Sequence, residues 1–489
     1  MFVPFNEFIR IDRRKSEAIF LQIAYQFIQA VQRGIIAVDA KLPGTRVISQ
    51  ELKVHRKTVV AAFQELQAQG WVEIIPNVGI FTKNPQVLSK NHLKSSKNDK
   101  KPTKTIDFRL DSSYTLSSPF EKTDCRLQFD DGHTDIRLFN TKELYRFYNN
   151  AFQRKSILQQ LGDYSRHGNT FFKEQLSYYL NLTQGFHIGK DQLVTGKSKE
   201  LLIYILSQVL IKTGDVILTG SFGYFGANMI FQQAGAQIKP IPVDDEGIDV
   251  DYIQKHFSKN QIRCIYLNPR SQYPTTVKMS SKRRSELLNL ADTYEFLIIE
   301  DDADAELYFE STVDYPMATT QNRVIYLGSF APYFPPAFQV KFLLASQVLI
   351  DEVVKYLGIL YPQGDIILEQ ALAEIIKEGD IHRYARKANK IYKKRLERFD
   401  ELLRFNFGKE IRYKKPVGGL SYWVEFKQEI SLHQLGKACQ KDDLFIPRIC
   451  MYQNAKTTAL KLGFGRLNEQ EMAESLAILH DNWKKLVSS

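Results

Sequence analysis

Apart from Leu93 and Pro102, residues 89–104, SKNHLKSSKNDKKPTK, are polar or charged. Such a run cannot bury enough apolar surface to offset the entropy of ordering it, so it can only join units that fold separately. It predicts a basic, flexible linker over 85–105, a head over 1–84 and a body from 106 onward. At 489 residues the chain is long enough for two or three domains.

The two sides differ in periodicity. Upstream, Ile19, Phe20, Ile23, Phe27, Ile28 and Val31 share one face of a helix over 16–33, with Ser16 as candidate N-cap and Gly34 at its end. A short helix from Thr45 to Leu52 follows. After Lys53-Val54-His55 a third helix turns Val59, Ala62, Phe63 and Leu66 inward and stops at Gly70. Val72–Ile75 and Ile80–Thr82 then flank the turn Pro76-Asn77-Val78-Gly79 as two strands. Three helices and a hairpin make an α+β winged helix-turn-helix.

Downstream, β-branched runs at 216–218, 262–267, 296–299 and 324–327 alternate with helical segments, which predicts a mostly parallel sheet in an α/β domain over 106–375. A charged helix over 380–403 and a strand over 420–426 predict a smaller α+β domain at 376–489. The run Arg383, Arg386, Lys387, Lys390, Lys393, Lys394 and Arg395 is expected to be a solvated helix face.

Several classes are excluded. The apolar and charged fractions are those of globular proteins. No stretch is apolar enough to span a membrane, and MFVPFNEFIRIDRR lacks the apolar core of a signal peptide, so a cytoplasmic protein is expected. Cys125, Cys264, Cys439 and Cys450 form no CxxC and have no His-rich neighbour, so neither a metal site nor a disulfide framework is expected.

The net charge of +11 is less informative than its placement. His55, Arg56, Lys57 and Thr58 open the third helix, the end of a recognition helix that enters a major groove. Arg46, after Pro43-Gly44-Thr45, is placed to clamp a phosphate. Double-stranded DNA is the partner these residues predict.

Residues 17–84, with LPGTR, VHRKTVVAAFQELQAQG and VGIFT in order, resemble the GntR-type winged helix throughout. The resemblance implies DNA contacts by Arg46, Arg56, Lys57 and Thr58, with a wing tip near Asn77 and Gly79 reaching the minor groove. Where that family often carries a wing arginine, this chain has Asn77-Val78.

The body carries DYSRHGNTFFKEQLSYYL with Tyr164 and Gly168, then VTGKSKELLIYIL, GSFGYFGANMIFQQAGAQIKPIPVDDEGIDV and FLIIEDDADAEL. In that order they resemble the fold-type-I aminotransferase-like domain of the MocR subfamily of GntR regulators. The resemblance implies a pocket for pyridoxal phosphate (PLP), with Asp301 on the pyridinium nitrogen, Tyr224 stacked on the ring, and Ser329 and the Thr195–Ser198 turn at the phosphate.

The chain departs from that pattern where the chemistry is done. Pro332 falls on the PLP lysine, and proline has no amine for a Schiff base. Gln339 replaces the phosphate-binding arginine, Lys341 a small residue, Ala303 the tyrosine of EDDY, Ser271 a histidine and Thr276 a glycine. Lys461 stands where an arginine receives the substrate carboxylate and cannot reproduce its fork; Arg466 is a candidate substitute. Lys341 lies along the strand from Pro332, with nothing in the sequence to return its amine to the pocket.

The expected protein is therefore a transcription regulator, not an enzyme, with a degenerate aminotransferase-like body. The resemblance implies a head-to-tail homodimer with swapped heads and a small-molecule effector that the sequence does not identify. Tyr224, Asp301, Ser329 and Ser198 are read either as relics of such a pocket or as a site for non-covalent PLP, which is left open but not favoured. The rivals are a PLP-dependent aminotransferase, a PLP-sensing regulator, and a body that only dimerises.

Overall fold

The computed structural model describes residues 5–13, 18–32, 35–36, 40–75, 78–83, 121–155, 157, 161, 168–302, 307–309, 315–319, 322–454 and 456–488. Ser16, Gly34, Asn77, the linker at 85–105, Tyr164 and Ala303 lie outside them. The chain forms two compact units, Met1–Pro119 with Gln453–Lys456, and Phe120–Tyr452 with Thr457–Ser489.

In the first unit α1 spans Phe5–Phe8, α2 Ile19–Gln32, α3 Thr45–Glu51 and α4 Arg56–Ala68. Strand β1 (Lys41–Leu42) joins the hairpin of β2 (Val72–Ile75) and β3 (Gly79–Thr82) in the order β1-β3-β2. The 3.6-residue period turns Ile23, Phe27 and Val31 of α2 onto Val59, Ala62, Phe63 and Leu66 of α4, and all are buried.

The structure adds an element that periodicity did not predict. Phe5, Phe8 and Ile9 are buried in this core, with the Phe5 ring 5.0 Å from Phe8, 6.1 Å from Phe27 and 6.2 Å from Phe63. Two glutamines of α2 hold the chain that follows. Gln22 Nε2 donates to the Asp12 carbonyl while its Oε1 accepts from the Asp12 amide, both at 3.0 Å. Gln26 grips Arg10 in the same way, at 2.7 and 2.8 Å. Each primary amide thus serves as a one-residue strand partner.

In the second unit β4 (Leu193–Gly196), β5 (Val216–Gly220), β6 (Gln237–Ile241), β7 (Cys264–Leu267), β8 (Leu297–Asp302), β9 (Val324–Phe330) and β10 (Val340–Leu344) form one sheet, ordered β4-β10-β9-β8-β7-β5-β6. Only β10 pairs antiparallel to its neighbours, so the expected mostly parallel sheet is found. Alternation sends Ile217, Cys264, Ile299 and Ile325 into one apolar layer and Leu218, Ile265, Ile298 and Val324 into another. The first layer includes Leu202 and Leu206 of α5 (Lys199–Leu210); the second includes Leu287 and Leu290 of α6 (Ser281–Tyr294). Burial on both faces explains the unbroken apolar runs.

Beyond the sheet, α7 (Ile366–Lys377) leads to α8 (Asp380–Phe407), and β11 (Ile411–Tyr413), β12 (Ser421–Phe426) and β13 (Thr458–Gly463) pair antiparallel. The basic face expected on α8 needs one correction. Arg395 is buried and bonds Asp135 Oδ2 at 2.8 Å, because its position follows the apolar stripe of Tyr392, Leu396 and Phe399.

Candidate nucleic-acid interface and cofactor cleft

In the head, Arg46, Arg56 and Lys57 are exposed and Thr58 is half-buried. His55 has a structural duty as well: it is the N-cap of α4, its Nδ1 accepting from the Lys57 amide at 3.2 Å. That satisfies one orphan donor at the helix start and aims the basic turn outward. Arg56 Nε donates to Thr45 Oγ1 at 3.3 Å, tying the reading helix to the one before it.

At the wing, Gly79 has φ +145, and a Cβ there would lie 3.0 Å from Lys41 Cε. Lys41, on β1, therefore lies along the wing beside Gly79 and brings a cation to it from the neighbouring strand, where Asn77-Val78 carry none. The sequence reading missed this residue because it precedes the hairpin by some thirty positions.

In the body the pocket residues meet at the carboxyl ends of the parallel strands, where α/β sheets place ligands. Asp301 pairs with Leu327 across β8 and β9, Ser329 with Lys341 across β9 and β10, and Lys341 with Gly196 across β10 and β4. Ser198 caps α5, its hydroxyl accepting from the Leu201 amide at 3.1 Å.

Lys199 comes next, and its ammonium is 2.8 Å from Asp301 Oδ2 and 3.9 Å from the centre of the Tyr224 ring. The Tyr266 hydroxyl donates to the same carboxylate oxygen. The Lys199 side chain is 18% exposed and that of Asp301 1%. Burial pushes the Lys199 ammonium down, but the charge of Asp301 and the hydroxyls of Tyr266 and Tyr224 outweigh it and hold its pKa well above the usual lysine value.

Lys341 is a correction to the sequence reading. Its amine does return to the pocket, donating to Ser329 Oγ and Gln339 Oε1 at 2.7 Å each, because antiparallel β10 places it directly across from Ser329. Gln339 in turn donates to the carbonyls of Pro332 and Phe334 at 3.0 and 2.6 Å. Pro332 is buried behind Ala331, whose φ is +53.

Lys461 is likewise engaged, 2.7 Å from Asp131 Oδ1 and 4.2 Å from the centre of the Tyr273 ring. Arg466 is exposed. Tyr273 meets Tyr224 edge-on at 5.3 Å and accepts from the Tyr452 hydroxyl at 2.9 Å, beside Trp423 and Phe222. A row of the chain's own cations and rings therefore runs from Asp301 to Asp131.

Below the phosphate turn, Glu369 accepts from Thr195 Oγ1 at 2.6 Å and from the Asn169 amide at 2.8 Å. Gly168, at φ +68, leaves room for it; a Cβ there would come 3.2 Å from Glu369 Oε2. Burial pushes the Glu369 carboxyl up to about 7. A raised carboxyl favours folding below the unfolded value near pH 4.5 and loses that contribution as pH rises through 7. Glu369→Gln is expected to flatten the fall of the body's unfolding midpoint between pH 5 and 8, keeping up to about 3 kcal/mol at the alkaline end. Thermal melts across that range check it, parallel curves for the two proteins being the contrary result.

Residues 20–82 match the family model for bacterial regulatory proteins of the gntR family, and residues 149–477 that for aminotransferase class I and II. Over 489 residues the chain is 24% identical to the uncharacterized HTH-type transcriptional regulator YdeL of Bacillus subtilis, covering 97% of this chain and 98% of that one. It is 22% identical to the probable rhizopine catabolism regulatory protein MocR of Rhizobium meliloti, covering 98% and 96%. The crystal structure of LysN, an alpha-aminoadipate aminotransferase from Thermus thermophilus, superposes with a TM-score of 0.65 at 22% identity, covering 74% of this chain and 93% of that one.

A gntR-type winged helix joined to an aminotransferase-like domain defines a transcription regulator of the GntR type. This chain belongs to the aminotransferase class I and II family through that body and to the GntR regulators through its head, the combination of the MocR type.

PLP, which the body's family implies, does not fit the residues present. The carboxylate and ring face that would receive its protonated nitrogen already hold the Lys199 ammonium. A second positive charge on the same buried carboxylate would meet that ammonium in a medium of low dielectric. Asp301 Oδ1 accepts no hydrogen bond among the described residues, but it faces the same charge conflict.

Proposed function

We propose that the protein is a cytoplasmic, sequence-specific transcription regulator that reads double-stranded DNA as a homodimer, and that its body performs no amino transfer. The exposed Arg46, Arg56 and Lys57 at the reading end of a gntR-type head support the first part. Two such heads on one dimer would read two half-sites. No helix among the described residues is long and apolar enough to cross a membrane.

The observation that carries the second part is the absence of a usable amine among the described residues of the cleft. Pro332 has none, Lys199 is held as an ammonium against Asp301, and Lys341 is hydrogen-bonded to Ser329 and Gln339. The body's contribution is then to bring two heads together and to bias their arrangement when an effector binds one arrangement better than the other.

Borohydride treatment of the full chain with PLP and an amino donor is expected to leave no pyridoxyl group on residues of the cleft. A stoichiometric adduct on Lys199 or Lys341, or turnover of the donor, would reverse the reading. For the head, Lys41→Ala is expected to weaken DNA binding several-fold and to lower the salt slope by about one. Anisotropy titrations at three salt concentrations measure both, and an unchanged slope would take Lys41 off the interface.

A further inference from the structure

We infer that Lys199 is a resident cation of the cleft, built in where a cofactor's ring nitrogen would sit, and that the body reaches its folded state on its own side chains. This goes beyond the DNA-binding reading and stands or falls without it. The two contacts made by the Lys199 ammonium, a buried carboxylate at 2.8 Å and the face of a tyrosine at 3.9 Å, are those a protonated aromatic nitrogen would need. Tyr266 completes the cage from β7.

The pattern repeats at the other anchor points. Lys341 fills the hydroxyl of Ser329, and Asp131 neutralises Lys461 under the Tyr273 ring. An incoming ligand would have to break a buried, charge-assisted contact at each end of the cleft, leaving its partner unpaired. A lone surface ion pair would carry no such meaning. Here the buried ion-pair partners Asp301, on β8, and Lys461, on β13, lie on different sheets of the body and are linked through Tyr224 and Tyr273 in ring contact.

Thermal unfolding of the full chain tests the inference, with PLP, pyridoxine and n-propylammonium as probes. Lys199→Ala removes the atoms of n-propylammonium, so that ion at millimolar concentration should restore much of the midpoint lost by this variant, with sodium at equal ionic strength giving no recovery. Wild type should not respond to any of the three. Lys199→Met, which fills the space without the charge, should be destabilised and not rescued. Should either variant fold poorly, the pair Lys199→Met with Asp301→Asn must be more stable than Lys199→Met alone, since it removes the orphaned charge. A clear rise in the wild-type midpoint with PLP, a Lys199→Ala protein as stable as wild type, or a double variant no better than the single one would each overturn it.

Discussion

Replacing Arg56 and Lys57 together by alanine is expected to lower the head's affinity for its operator about 100-fold, since a base-reading arginine contributes roughly 1–3 kcal/mol and a phosphate-bound lysine adds to it. The two side chains are exposed on the first turn of α4, where the helix N-terminus itself attracts phosphate. The loss should have two parts. Lys57→Ala alone should weaken all sequences alike and reduce the salt dependence, whereas Arg56→Ala should also relax discrimination at one base position. An operator selected from random DNA and titrated at several salt concentrations separates them. Wild-type affinity and slope in the double variant would mean that another surface binds DNA.

The second large effect is on stability. Phe5→Ala is expected to cost the head about 3–5 kcal/mol, the range for emptying a buried phenylalanine site. Phe5 is 1% exposed, its ring packs against Phe8, Phe27 and Phe63, and its amide donates to Glu51 Oε2 at 2.8 Å. A domain of this size has a total stability of roughly 5–15 kcal/mol, so DNA binding should fail at temperatures where the body remains folded. Far-UV melts of the full chain should then show an early transition absent from wild type. A single unshifted transition would place residues 5–9 outside the head's cooperative core.

Most of the head was legible because its signals are local. Periodicity located α2, α3 and α4, and Val59, Ala62, Phe63 and Leu66 are buried as the pattern required. Phe5, Phe8 and Ile9 gave no such signal: a four-residue helix shows no period, and its hold on α2 depends on Gln22 and Gln26, which look like ordinary solvent-facing residues of an amphipathic helix.

In the body, the β-branched runs found β5, β7, β8 and β9 because both faces of each are buried. The cleft was harder. Asp301, Tyr224 and Ser329 were found by resemblance, but their partners come from elsewhere in the chain: Lys199 from the start of α5, Lys341 by antiparallel register, Asp131 from a loop some 330 residues before Lys461. Strand order and register decide such meetings, and neither is written in any single window of sequence.

The placement of the three tryptophans gives each region its own optical reporter. Trp71 lies in the head's core, Trp483 packs against Phe407 and Phe426, and Trp423 stands beside Tyr273 and Tyr452 in the cleft. Emission from single-tryptophan versions would therefore reveal, without any label, whether an effector loosens the cleft before the rest of the molecule responds.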